Sequence, residues 1–161
     1  MILETYANSL YLGHECHRWS VHPSIIIGGS IANQADYQHL YDALGVRSVL
    51  NVETEHSDDG KGINLLSECQ VPDDGTPFPK GLVRHAVSFA KLYIGHGPVY
   101  VHCQQGGSRS PAFAYAILRW VYGYSPFQAL QAIREGKPKA ATYGDHRFHQ
   151  SYLDSVEAAL R

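Results

Sequence analysis

Cys103 and Arg109 stand six residues apart in the stretch VYVHCQQGGSRSP at 99–111, and both side-chain types can act on phosphate. A cysteine sulfur can attack phosphorus, and a guanidinium presents a planar fork that matches two phosphate oxygens. The surrounding residues predict how the pair is held. Val99, Tyr100 and Val101 suit a short buried strand. Gln104, Gln105, Gly106, Gly107 and Ser108 are polar or small, so the backbone there can curl and converge its N–H groups. From Ser110 onward Ala112, Phe113, Ala116, Ile117, Trp120 and Val121 recur at helical spacing. Strand, loop and helix N-terminus together form an anion site, because the first helical N–H groups are unpaired and the dipole favours negative charge. This predicts a cysteine nucleophile in a phosphate cradle built from the amides of residues 104–108 and Arg109. Ser110 is placed to donate a hydrogen bond toward the sulfur, and His102 to point away and fix the loop backbone.

A second feature is VPDDGTP at 71–77, where two prolines and a glycine fix a turn that carries Asp73 and Asp74. Displacing an alcohol or phenol from phosphorus requires a proton for the leaving oxygen, and a positioned aspartate supplies one. Cys69 lies just upstream, either as an ordinary buried strand residue or as a redox partner able to trap an oxidised Cys103 as a disulfide. His14, Cys16, His17 and His22 include metal-ligating types, but no second spaced pair follows, and they are read as polar residues of an N-terminal loop. Asp58 and Asp59 are read as solvated turn residues, so no metal and no cofactor is expected.

These groups need a scaffold. The apolar run 25–27 closed by glycines predicts a buried strand. Residues 33–44 predict a helix with Tyr37, Leu40, Tyr41 and Leu44 on one face and Gly45 as its cap, and 46–52 predict the next strand. Strand, helix and strand in succession predict a parallel pair with a right-handed crossover. A less regular strand is expected over 63–71, and helices over 81–95, from Ser110 to near Gly123, from Pro126 to about Glu135, and over 148–160. Residues 6–12 read equally as a strand or a helix start. The fold class is α/β: a central, mostly parallel, twisted sheet of about four to five strands with helices on both faces.

Composition agrees with one domain over 1–161, with 1–20 as an extension packed on it. Hydrophobic residues make up 44% and charged residues 17%, and the net charge of −2 excludes a nucleic-acid-binding surface. Three widely spaced cysteines argue for a reducing compartment, and no leader or membrane-spanning stretch is evident, so a soluble cytoplasmic monomer is expected.

His102-Cys103, five residues, then Arg109-Ser110 resembles the signature of the cysteine-dependent protein tyrosine phosphatases, and Gly106-Gly107-Ser108-Arg109-Ser110-Pro111 resembles the dual-specificity branch in particular. Ile27 to Ser30 and Val49 to Val52 match structural stretches of that branch, and the resemblance covers about residues 20–161. It implies a phosphocysteine route in which Pro72, Asp73, Gly75 and Pro77 align with the general-acid loop. Asp73 is then the acid, with Asp74 as the alternative. Members that act on phosphoinositides often carry Lys or Arg inside the catalytic loop, whereas residues 104–108 are uncharged here. The expected substrate is therefore a protein carrying phosphotyrosine, or phosphoserine and phosphothreonine. A phosphoinositide or other small phosphomonoester is the alternative, and a catalytically weak phospho-binding module a third reading.

Overall fold

The computed structural model describes residues 4–11, 14–104, 106–136 and 149–161. Its centre is a six-stranded mixed sheet in the order β1-β2-β3-β6-β4-β5. The strands are β1 (Glu4–Tyr11), β2 (His14–His22), β3 (Ile25–Gly28), β4 (Ser48–Asn51), β5 (Leu65–Glu68) and β6 (Val99–His102). The three contacts among β3, β6, β4 and β5 are parallel, whereas β1, β2 and β3 pair antiparallel. The mostly parallel sheet with helices on both faces is as the sequence predicts.

One expectation fails at the N-terminus, where β1 and β2 extend the expected sheet of about four to five strands to six. Residues 14–22 are a strand of that sheet, and the polar loop predicted there does not exist. The cause is a period of two that the histidines obscure: Trp19 and Val21 enter one core while Arg18 faces the other way. His22 stacks on Tyr122, with ring centroids 4.1 Å apart, and burial lowers its pKa.

Alternation along the central strands divides the interior into two layers. Ile25, Ile27, Val99, Val101, Leu50 and Val52 face a large core closed by α2 (Lys80–Tyr93), α3 (Arg109–Trp120), α4 (Pro126–Gly136) and α5 (Gln150–Ala159). Ile26, Val49 and Tyr100 face a smaller core covered by α1 (Gln34–Leu44) through Tyr37 and Leu40. The ends of α1 follow the sequence. Asn33 caps it by accepting from Asp36 N, and Gly45 closes it with φ of 73°. Tyr41, expected on the packed face, is 38% exposed and carries Arg47 over its ring. The helix expected over 81–95 ends at Tyr93 and tightens into a single 3₁₀ turn, Ile94–His96. The expected loop at 137–139 and the start of the last helix at Phe148 lie outside the described residues.

Candidate active site

β6 ends at His102 between its two parallel neighbours, and the chain leaves the sheet at Cys103. The ladder holds for one more step, because Cys103 N donates to Gly28 O at 3.2 Å. Ser30 N then donates to Gln104 O at 3.1 Å, which pins the start of the loop to the end of β3. Gly106 turns the chain with φ of +77°, and a Cβ there would lie 2.9 Å from the Gly28 carbonyl carbon and 3.0 Å from the Trp19 ring. Only glycine fits both the torsion and the space. The turn brings Gly106 N within 3.2 Å of Cys103 Sγ, and Ser110 Oγ lies 3.4 Å from the same sulfur. Cys103 is buried, and so are Ser110 and Arg109.

Arg109 opens α3 and folds back toward the loop. Its two terminal nitrogens each lie 3.0 Å from a carboxylate oxygen of Glu55, and Nη1 also donates to Val71 O at 3.0 Å. Burial opposes the charge on Arg109, but Glu55 above all, with Cys103 and Asp73, raises its pKa further. Burial also pushes Glu55 up, and the hydrogen bond and charge of Arg109 overcome it, so Glu55 lies below the usual carboxylate range. Arg109 Nε and Ser108 Oγ are buried without a hydrogen-bond partner among the described residues. Two donors left this way in one loop suit an incoming anion. Gln105, a predicted cradle residue, lies outside the described residues.

Beneath the loop lies a network that the sequence reading missed. His102 is fully buried, with Nε2 on the Asp58 carboxylate and Nδ1 3.3 Å from Cys103 O and 3.5 Å from Glu53 Oε1. It points away from the cradle and meets the loop backbone, as expected. Asp58 is only 1% exposed, so its reading as a solvated turn residue is overturned. Lys61 also donates to it at 3.0 Å and reaches Ile31 O at 2.6 Å. Burial pushes Asp58 up, yet His102 and then Lys61 bring its pKa below the ordinary value. Glu53 is buried as well and accepts from Ser30 Oγ at 2.6 Å. Asp59, in contrast, is exposed as predicted.

The turn at 71–77 leaves the sheet where Val71 N donates to Val52 O at 3.1 Å. Its carbonyl touches Arg109, so the aspartate-bearing turn and the loop that wraps Cys103 share a hydrogen bond. Asp73 is exposed and its Oδ1 lies 3.2 Å from Tyr152 Oη. Asp74 instead accepts from Thr76 N at 2.9 Å, and that bond lowers its pKa.

No family model matches the chain. The rat protein named phosphatidylglycerophosphatase and protein-tyrosine phosphatase 1 is 40% identical over 73 residues, which is 45% of this chain and 37% of that protein. The mouse protein of that name is 38% identical over the same shares. The match thus spans little more than a third of the length of these curated relatives. Among solved structures, PTPMT1 superposes with a TM-score of 0.68 at 21% identity over 88% of this chain and 92% of that one. Human DUSP28 gives 0.71 at 19% identity over 88% and 91%. The fold is that of the dual-specificity phosphatases. PTPMT1 in complex with PI(5)P superposes similarly, with a TM-score of 0.72 at 20% identity over 89% and 93%.

In this dual-specificity phosphatase fold, Cys69 sits in the same core as Cys103, and both are free thiols. Cys69 N bonds Asn51 O and Val52 N bonds His102 O, so β4 runs between the two cysteines. Two inter-strand spacings amount to about 9.6 Å. A disulfide needs Cα atoms within about 7 Å, and here it would require the backbone to move. Burial pushes the Cys69 thiol up, against a hydrogen bond from Ser67.

Proposed function

We infer that the chain hydrolyses phosphomonoesters in two steps. Cys103 Sγ attacks phosphorus in line, the P–O bond to the leaving group breaks, and Asp73 protonates the departing oxygen. The resulting phosphocysteine is then attacked by water, whose proton passes to the Asp73 carboxylate, and the Cys103 sulfur leaves with Ser110 beside it. Loop amides and Arg109 hold the equatorial oxygens through both steps. The observation that carries this reading is the pair of unpartnered donors, Arg109 Nε and Ser108 Oγ, in the loop that wraps Cys103.

For the substrate, the comparisons favour a lipid headgroup over the phosphoprotein expected from the sequence. The curated relatives are named for phosphatidylglycerophosphate as well as for protein tyrosine, and one neighbouring structure holds PI(5)P. The uncharged residues Gln104, Gln105, Gly106, Gly107 and Ser108 suit a single phosphate, because a headgroup with several phosphates calls for added cations. The same neutrality supports the second reading, a singly phosphorylated protein side chain. Initial rates on phosphatidylglycerophosphate vesicles, PI(5)P vesicles and phosphotyrosine peptides decide between them, with the lipids expected to turn over faster. Cys103→Ser is expected to abolish turnover of all three. Wild-type protein no faster than Cys103→Ser on p-nitrophenyl phosphate would leave only a phospho-binding module.

A further inference from the structure

Beyond Val71, the acid-bearing turn is fixed by α5. Ser151 Oγ donates to Gly75 O at 2.6 Å, and Ser155 Oγ accepts from Phe78 N at 3.1 Å. Between them Tyr152 Oη accepts from Gly75 N at 3.0 Å and lies 3.3 Å from Pro72 O and 3.2 Å from Asp73 Oδ1. The Tyr152 ring has no freedom to follow a wandering partner. It is fully buried and stacks on Phe78 at 4.3 Å, and Phe78 stacks in turn on Phe113 of α3 at 4.7 Å. Burial first, then the nearby Asp73, push the Tyr152 hydroxyl up against the opposing Gly75 N–H, so it stays a donor.

Asp73 by itself is an exposed side chain, free to sample rotamers. We propose that Tyr152 is its positioning residue: the wedged hydroxyl donates to Asp73 Oδ1, which leaves Oδ2 to carry the transferable proton and fixes the carboxyl for the leaving group. This rests on Asp73 being the general acid. As P–O breaks, the proton on Oδ2 goes to the leaving oxygen, and the carboxylate that remains keeps the Tyr152 hydrogen bond until it accepts a proton from water. A residue acting this way matters only when the leaving oxygen needs a proton, so its loss must depend on the leaving group.

Tyr152→Phe keeps the ring and its stacking and removes only the hydroxyl. The test measures kcat/KM, which reports formation of the phosphocysteine, on p-nitrophenyl, phenyl and alkyl phosphates for wild type, Tyr152→Phe, Asp73→Asn and their double variant. Tyr152→Phe is expected to lose roughly tenfold more on phenyl than on p-nitrophenyl phosphate. Asp73→Asn should show a steeper trend in the same direction, and the double variant should be no steeper than Asp73→Asn. Ser151→Ala, which removes a different bond to the same turn, should lose equally on all three substrates. Equal losses across substrates in Tyr152→Phe, with a steep Asp73→Asn, would overturn the positioning role alone. A flat response in Asp73→Asn would overturn the acid assignment and the role of Tyr152 with it.

Discussion

At the scale of single residues, the side chains gathered in the loop around Cys103 were legible and those packed behind them were not. Cys103, Arg109 and Ser110 announce themselves by type and spacing within one short stretch. Asp58 does not, because it sits in a polar run with no periodicity and meets His102 across 44 residues of sequence. Glu55 is equally silent, and its grip on Arg109 crosses 54 residues. Sequence spacing reports local geometry and says nothing about which loop will close over which strand. The buried position of Asp58 makes it a sensitive one. Asp58→Asn leaves His102 and Lys61 facing a neutral amide in a buried site, and should lower stability by about 3 kcal/mol in urea unfolding. Activity should fall with it, since His102 supports the Cys103 carbonyl.

At the scale of elements, capping and alternation predicted most of the scaffold. The helix at 34–44 has the Gly45 cap the sequence named, and α4 begins at Pro126 with Ser125 Oγ accepting from Gln128 N at 3.1 Å, as a capping serine should. The N-terminal hairpin was missed because residues 14–18 mix histidines, acid and base, so that no run of apolar residues marks a strand. What pairs those residues is the open edge of β3, a tertiary fact. The loop between β6 and α3 depends most on one torsion. Gly106→Ala forces a side chain into the Gly28 backbone at a positive φ, and should cost about 3 kcal/mol of stability. Because Gly106 N also approaches Cys103 Sγ, titration calorimetry should show inorganic phosphate or vanadate binding at least about tenfold more weakly.

At the scale of the whole molecule, charge pairs tie separate elements together and set the response to acid. Asp58, Glu55 and Glu157 all have pKa values below the ordinary carboxylate range, the last through hydrogen bonds from Arg119 and Tyr115 that join α3 to α5. A carboxylate whose folded pKa is depressed contributes stability that is whole above its unfolded pKa and is lost as pH falls through the folded value. Melting temperature should therefore hold steady from neutrality to about pH 5 and then fall. Asp58→Asn, which removes one such group, should flatten that descent, and thermal melts across pH measure it. Solvent screens Glu55 and Glu157, so Asp58 should dominate the difference.

The strand order carries one more consequence. β6 lies between β3 and β4, yet it is the last strand among the described residues, following β4 by 48 residues from Asn51 to Val99. During synthesis, a ribosome that has released only the first five strands holds two pieces of sheet whose facing edges have no partner. Those edges are Ile25–Gly28 and Ser48–Asn51, and they must wait for the strand that leads into Cys103. The strand that leads into the Cys103 loop is thus the keystone of assembly.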